Sequence, residues 1–91
     1  MQVAVRLCDP LKEYAGCPSR ISVDSCRTVS DVVDALDVRY PGVSRRILDD
    51  QDRVRRYVNV FLNGEMIEVP LKEALVRDGD EVYIIQSVAG G

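Results

Sequence analysis

The chain has 91 residues, with 12 Lys plus Arg against 15 Asp plus Glu, so its formal net charge is −3. This length predicts one small domain, and the acidic balance argues against a sequence-independent nucleic-acid binder, which needs a basic surplus. The sequence has no histidine and therefore lacks the usual general base and the commonest metal ligand. No signal-peptide pattern and no membrane-length apolar run occur, so we expect a cytoplasmic protein without a membrane partner.

The three cysteines, Cys8, Cys17 and Cys26, are spaced in a way that matches no compact zinc site. An odd number of cysteines without a signal peptide predicts free thiols in a reducing compartment. We interpret them as packing residues or neutral surface thiols. A redox role for Cys17, in a loop before Pro18, is the alternative.

Alternating apolar residues predict two short strands near the start of the chain. Val3, Val5 and Leu7 alternate in the first, and Ile21 and Val23 in the second. The segment between them, 11–16, is too short for a full helix, so the strands are expected to form an antiparallel hairpin with a long tip.

An amphipathic helix is predicted over residues 28–40. Thr28 is a candidate N-cap and Asp31 completes a capping-box pattern, while Pro41 and Gly42 end the helix. The apolar residues at helical spacing are Val29, Val32, Val33, Leu36 and Tyr40.

Residues 43–56 are highly charged and are interpreted as a solvated connector, in which Ile47 and Leu48 form a short turn on the core. Asp49, Asp50 and Asp52 interleave with arginines. A charge run of this kind is typical of a solvated face and does not indicate a catalytic acid pair.

The second half of the chain alternates strand and turn signals. The predicted features are a strand at 57–62, a two-residue turn at Asn63-Gly64, a short partner strand at 66–69, a helical turn at 71–76, a turn at 78–80 and a last strand at 81–87.

Together these elements predict an α+β domain of the β-grasp type, residues 1–86, followed by a flexible tail, 87–91. The first and last strands would be central parallel neighbours in a mixed sheet of four or five strands, with one main helix on one face. A ferredoxin-like sandwich is the alternative, and it needs a second long helix. The predicted core comprises Val3, Val5, Leu7, Ile21, Val23, Val60, Leu62, Val82 and Ile84 with Val32, Val33 and Leu36.

The sequence ends on Gly90-Gly91 directly after the last predicted strand. With these motifs, the chain resembles the ubiquitin-like sulfur-carrier proteins of the MoaD/ThiS family, which includes the molybdopterin synthase small subunit, the thiamine sulfur carrier and the CysO-like carriers of cysteine synthesis. The resemblance covers nearly the whole chain and rests on segments 3–7, 11–16, 28–32, 58–64, 78–82 and 88–91.

The resemblance implies a function for the terminal carboxylate of Gly91. A ubiquitin-activating-type adenylyltransferase would use ATP to adenylate it, a sulfurtransferase or persulfide donor would convert it to a thiocarboxylate, and an acceptor enzyme would take the sulfur. Val88, Ala89 and Gly90 would thread into these partners. The carrier itself would have no catalytic residue, no metal and no bound cofactor, and would bind no nucleic acid.

Two other functions share this pattern. A protein modifier would form isopeptide conjugates through Gly91, and an interaction module would insert its tail without activation. By strand parity, Phe61, Tyr83 and Ile85 lie opposite the core-facing residues. They are predicted to form an exposed apolar partner-binding patch, unless long neighbours such as Arg6 cover them.

Overall fold

The computed structural model describes residues 2–8, 11–16 and 18–86. The elements are β1 (Gln2–Leu7), α1 (Leu11–Ala15), β2 (Arg20–Asp24), α2 (Val29–Arg39), α3 (Val43–Ile47), β3 (Val58–Leu62), β4 (Glu65–Met66), a 3₁₀ turn (Leu71–Glu73) and β5 (Glu81–Gln86).

The five strands form one mixed sheet in the order β2-β1-β5-β3-β4. β1 and β5 are central and parallel, with Val5 opposite Val82, whereas β1–β2, β3–β5 and β3–β4 are antiparallel. The β-grasp prediction is therefore confirmed. Among the described residues α2 is the one long helix, so the ferredoxin-like alternative is excluded.

The start of α2 has the capping box that its sequence predicts. The Thr28 hydroxyl accepts from the N–H of Asp31 at 3.1 Å, and the Asp31 carboxylate accepts from the N–H of Thr28 at 3.1 Å. The same carboxylate also accepts from the N–H of Arg27 at 3.0 Å. These bonds satisfy N–H groups that the helix leaves unpaired.

The core lies between α2 and the sheet. All the predicted core residues are buried except Leu62, which is half-buried against the cluster. Residues 71–76 close one side of the core, since the N–H of Val29 donates to the Ala74 carbonyl at 2.8 Å. Ile47, which the sequence placed in a short turn on the core, is buried as predicted. The core also includes buried residues that the sequence pattern did not single out for it, namely Leu11, Val43, Val58, Leu71 and Val76.

The connector at 43–56 is more ordered than predicted, because α3 begins it. The Asp37 carboxylate accepts from the N–H groups of Gly42 and Ser44, both at 3.0 Å, and this holds the first turn of α3. Val43 and Ile47 are one helical turn apart and fully buried. The cap is contributed by the preceding helix, so no local signal in 43–56 announces it.

The segment 11–16, predicted to be too short for a full helix, contains the single helical turn of α1, and Leu11 packs into the core. Two boundaries differ from the prediction. β4 is only Glu65–Met66, and the helical turn contracts to Leu71–Glu73. Pro70 has no N–H to continue sheet pairing, and the chain leaves the sheet to place Leu71 on the core.

The turn at Asn63-Gly64 is confirmed. Both residues have positive φ, 51° and 88°, as a two-residue hairpin turn requires. The Asn63 side chain reinforces the turn, since its oxygen accepts from the N–H of Glu81 at 2.9 Å and its amide donates to Asp80 at 3.0 Å.

Candidate functional site

The end of β5, the end of β1 and the start of β3 lie together at one end of the sheet. Gln86 pairs with Val58, and Leu7 pairs with Ile84. Gln86, the last residue of β5, therefore lies at this end of the sheet. The predicted tail residues Val88, Ala89, Gly90 and Gly91 lie outside the described residues.

The sheet face opposite α2 carries the predicted patch. Phe61 and Tyr83 are cross-strand neighbours, with ring centroids 6.5 Å apart and planes inclined by 42°. Ile85 is opposite Asn59 on the same strand pair. All three side chains are half-buried. The pairing of β3 with β5 brings them together on one face, as strand parity predicts.

The patch is less bare than an apolar surface, because arginine covers part of it. The Arg6 guanidinium lies over the Tyr83 ring, 4.7 Å from its centroid. The Glu81 carboxylate forms ion pairs with the guanidinium groups of Arg6 and Arg20, with N–O distances of 3.8 and 3.6 Å. The covering that the sequence posed as an alternative is present at Tyr83. The face therefore presents the apolar side chains of Phe61 and Ile85 beside the charged side chains of Arg6, Arg20 and Glu81.

The described cysteines are packed within the domain. Cys26 is buried, and its Sγ donates to the Asp24 carbonyl at 3.4 Å. Burial, followed by the negative charge of Asp31, raises the pKa of the Cys26 thiol, so it stays protonated at neutral pH. Cys8 is half-buried with its Sγ 4.0 Å from the Ile84 carbonyl. Cys17 lies outside the described residues.

Within the acidic run of the connector, the Asp49 side chain stabilises a backbone turn. Its carboxylate accepts from the N–H groups of Gln51 and Arg53 at 2.8 and 3.0 Å. These bonds, chiefly that from Arg53, lower the pKa of Asp49. The carboxylate thus closes a tight turn at 49–53.

Metal and membrane features are missing from the described part of the chain. Within residues 2–8, 11–16 and 18–86, no cluster of three or more Cys, Asp or Glu side chains could hold a metal ion. No helix in these ranges has both the length and the apolar character needed to cross a bilayer.

The structure also brings together a group that sequence reasoning missed. α1 and α3 meet where the Arg46 guanidinium stacks on Tyr14, 3.9 Å from the ring centroid. Beside this pair is a cleft of about 330 Å³, which we call the arginine–tyrosine cleft. It is lined by Tyr14, Gly42, Arg45, Arg46, Arg55 and Tyr57. These positions are distant in sequence, and the only local signal was the arginine content of 43–56.

The backbone of this cleft is tightly fixed. The Arg55 Nε donates to the Arg45 carbonyl at 2.6 Å, and the Arg55 N–H donates to the Ile47 carbonyl at 2.9 Å. Gly42 has φ 97°, and a Cβ there would lie 2.8 Å from the Tyr14 hydroxyl. The positive φ favours glycine at this position, whereas the contact alone would require only that the end of the exposed Tyr14 side chain move.

A mixed sheet that packs on a single long helix, with parallel central first and last strands, defines a ubiquitin-like β-grasp protein. The profile of the ThiS family matches residues 5–91, and the chain belongs to this family of ubiquitin-like sulfur carriers. The resemblance drawn from the sequence motifs is thereby confirmed.

Curated relatives include both carriers and modifiers. The chain is 33% identical over 93 residues to small archaeal modifier protein 3 of Haloferax volcanii, covering all of both chains. It is 32% identical over 94 residues to the sulfur carrier protein CysO of Mycobacterium tuberculosis, again covering all of both.

Solved structures agree with the sequence matches. SAMP1 of Haloferax volcanii superposes with a TM-score of 0.84 at 29% identity, over 100% of each chain. A chain in the BexX/CysO complex of Amycolatopsis orientalis gives 0.84 at 30% identity, over 98% of this chain and 99% of that one. The family is therefore one of small carrier and modifier proteins.

Proposed function

We propose that the protein is a sulfur carrier that works through the C-terminal carboxylate of Gly91. The observation that carries the proposal is the match to the ThiS family, which extends through Gly90-Gly91. The sulfur carrier protein CysO is similar to this chain over its full length. The confirmed β-grasp domain, whose last described strand ends five residues before Gly91, supports the same proposal.

The chemistry proceeds in two displacements. A carboxylate oxygen of Gly91 attacks the α-phosphorus of ATP in a partner adenylyltransferase, which forms an acyl-adenylate and releases pyrophosphate. Hydrosulfide then attacks the acyl carbon. It is supplied as free sulfide, or a thiol reductant releases it from the persulfide of a partner protein. AMP leaves with the C–O bond electrons, and the product is a thiocarboxylate.

The two terminal glycines suit this chemistry. A residue without Cβ passes through a narrow channel and adopts backbone angles closed to other residues, so Val88, Ala89 and Gly90 would thread the carboxylate to the partner's ATP site. In this proposal the protein has no catalytic side chain and binds no cofactor of its own. A biosynthetic acceptor enzyme then takes the sulfur, for cysteine, molybdopterin, thiamine or another sulfur-containing metabolite.

Reconstitution tests the proposal. The protein is incubated with its adenylyltransferase, ATP and sodium sulfide, and its intact mass is expected to rise by one oxygen-for-sulfur exchange. Deleting Gly91 should abolish the increase, because the shortened carboxylate no longer reaches the α-phosphate. Gly90→Val should reduce it by crowding the channel. No mass change in the intact protein would contradict the proposal.

A cysteine-free variant is the matched control. Cys8→Ser, Cys17→Ser and Cys26→Ala together should leave the sulfur uptake unchanged, because the sulfur is bonded to the terminal acyl carbon. If the variant took up no sulfur while remaining folded, the thiocarboxylate mechanism would be wrong.

Protein modification is the second candidate, favoured by the similarity to small archaeal modifier protein 3. It starts from the same acyl-adenylate but ends when a lysine amine attacks the acyl carbon to give an isopeptide. The product separates the two functions. A branched peptide joining Gly91 to a lysine of another protein would establish modification, and a thiocarboxylate would establish sulfur transport.

A further inference from the structure

The arginine–tyrosine cleft is a cationic and aromatic surface in a chain of net charge −3. Tyr14 and Tyr57 expose 47% and 36% of their surface, and Arg45 and Arg46 are exposed beside them. Tyrosine and arginine are the residue types that dominate binding energy at protein interfaces. The cleft thus has the composition of an interface and carries positive charge against the sign of the whole protein.

The arginines of the cleft form no ion pair within the described residues. The ion pairs found there join Arg6 and Arg20 to Glu81, and Arg53 to Asp49. None of them involves an arginine that lines the cleft.

The nearest carboxylates are engaged elsewhere. The N–H of Ser44 is the main cause that lowers the pKa of Asp37, and Arg45 contributes least. For Asp49 the N–H of Arg53 is likewise the main cause, and Arg55 the smallest. Arg45 and Arg55 therefore act on these carboxylates without forming an ion pair. Among the described residues, the one hydrogen bond that their guanidinium groups donate is that from the Arg55 Nε to the Arg45 carbonyl.

The cleft lies at the sheet edge where β5 ends. Tyr57 immediately precedes Val58, the partner of Gln86 in the sheet. α1, which carries Tyr14, follows the end of β1 at this edge, since Leu7 pairs with Ile84. A protein that took residues 87–91 into an active site would meet this edge, and the cleft would face it.

We propose that the arginine–tyrosine cleft docks an acidic segment of the enzyme that receives the C-terminal tail. This inference rests on the proposed function, and it adds the chemistry of the partner surface. Carboxylates of the partner would accept from Arg45, Arg46 and Arg55, and the exposed ring faces of Tyr14 and Tyr57 would pack on the adjoining chain. The stacking of Arg46 on Tyr14 holds that guanidinium in place before binding, which lowers the ordering cost.

A protein carboxylate suits the cleft better than a nucleic-acid backbone. A phosphate backbone extends charge over many repeats and requires a broad basic surplus. Here the neighbouring cavity shares Arg45 with the cleft, and its other charged lining groups are the carboxylates of Asp34, Asp49, Asp50 and Asp52. These acidic neighbours would repel a long polyanion. They leave room for a short segment with a few carboxylates.

The test uses an acetylated oligoglutamate peptide as the probe and backbone amide shifts of the full-length protein as the readout. At low salt, the shifts are expected to cluster at the cleft and to disappear as salt is raised. Arg46→Glu should weaken peptide binding by about tenfold, because it replaces attraction with repulsion. Arg77→Glu, an equal charge change at an exposed position outside the cleft, should leave the affinity within about twofold.

Four results of these binding experiments would overturn the inference. The first is peptide shifts centred outside the cleft. The second is equal weakening by Arg46→Glu and Arg77→Glu. The third is tighter binding of an oligouridylate of matched charge, which would assign the cleft to RNA. A fourth result is sedimentation of the free protein as a dimer that Arg46→Glu dissociates. The cleft would then be occupied by the acidic cavity surface of a second copy of the chain.

The Gly91 deletion variant separates this inference from the proposed function. The cleft does not include Gly91, so the variant should bind the peptide like the intact protein. If the intact protein binds the peptide as expected but forms no thiocarboxylate, the proposed function fails alone. If thiocarboxylate forms at the same rate in Arg46→Glu as in the intact protein across a range of adenylyltransferase concentrations, the docking inference fails alone.

Discussion

The Thr28 hydroxyl and the Asp31 carboxylate pair reciprocally with backbone N–H groups at the start of α2. Because α2 is the one long helix among the described residues, its first turn is a sensitive point for stability. Thr28→Ala should lower the free energy of unfolding by about 1 kcal/mol, as loss of an N-cap side chain does elsewhere. Urea denaturation measures this loss.

Thr28→Ser is the control for this prediction, since it keeps the hydroxyl that accepts from Asp31 N–H. It should unfold close to the wild-type urea midpoint. If the serine variant lost as much stability as the alanine variant, the cap would not be the cause.

Hydrogen bonds from backbone N–H groups also determine how stability responds to pH. They lower the pKa of three carboxyls: chiefly the N–H of Arg27 for Asp31, that of Ser44 for Asp37, and that of Arg53 for Asp49. A carboxyl whose pKa is lower in the folded state stabilises the fold above its unfolded pKa, about pH 4. That contribution is lost as the pH falls through the folded pKa.

We therefore expect the urea midpoint to fall as the pH is lowered below about 4. Asp37→Asn should be less stable than the wild type at neutral pH, because a neutral amide binds the N–H groups of Gly42 and Ser44 more weakly. The two proteins should converge in acid, once Asp37 is protonated. A stability difference that stayed constant down to the lowest pH would rule out the Asp37 carboxylate as its source.

α2 contributes the apolar layer that the sheet covers. Val32 has 0% exposure, whereas Val38 on the same helix has 82%. Val32→Asp should leave the domain unfolded, because an unpaired charge in this core costs a large part of the stability that a small domain has. Circular dichroism and amide-shift dispersion report the outcome.

Val38→Asp is the matched control on the exposed face of α2. It should remain folded with an unfolding free energy within about 0.5 kcal/mol of wild type. A folded Val32→Asp variant would contradict the assignment of this face of α2 to the core.

β3 and β5 present the Phe61, Tyr83 and Ile85 patch. Phe61→Asp or Ile85→Asp should weaken binding to the adenylyltransferase in calorimetry while the domain stays folded, since both side chains are only half-buried. Leu75→Asp is the control, because Leu75 is 70% exposed and belongs to neither the patch nor the cleft. Unchanged affinity in both patch variants would show that this face is not the docking surface.

The strands, α2 and the two-residue turn were predictable because their signals are local. Alternation marks Val3, Val5 and Leu7, and the capping pattern marks Thr28. Of α3, only a short turn at Ile47 and Leu48 was predicted from its own residues, since the cap that starts the helix comes from Asp37 on the preceding helix. The length of β4 was not predictable either, because the chain leaves the sheet after Met66 so that Leu71 can be buried in the core.

The same distinction applies to the candidate site. Parity along β3 and β5 placed Phe61, Tyr83 and Ile85 on one face, and Arg6 was named as a possible cover. The arginine–tyrosine cleft was missed because Tyr14, Arg46 and Tyr57 are remote in sequence and meet only through packing of α1 against α3. The function of Gly91 stays a prediction, since it lies outside the described residues.

As a molecule, the protein combines a small apolar core with a surface that has distinct charged regions. Arg45, Arg46 and Arg55 line the cleft together with Tyr57, which immediately precedes Val58, the partner of Gln86 in the sheet. The carboxylates of Asp49, Asp50 and Asp52 line a neighbouring cavity. This arrangement would orient the protein as its tail meets a partner, because opposite charges on two surfaces steer their encounter.

The position of the sulfur atom tests the central claim most directly. Cleavage after Arg77 releases the peptide 78–91, which contains Gly91 and no cysteine, whereas Cys8, Cys17 and Cys26 all lie in other fragments. After reaction with adenylyltransferase, ATP and sulfide, we expect the oxygen-for-sulfur exchange in peptide 78–91, located by fragmentation at Gly91. Extra sulfur found as a persulfide on a cysteine fragment, with peptide 78–91 unchanged, would contradict the account.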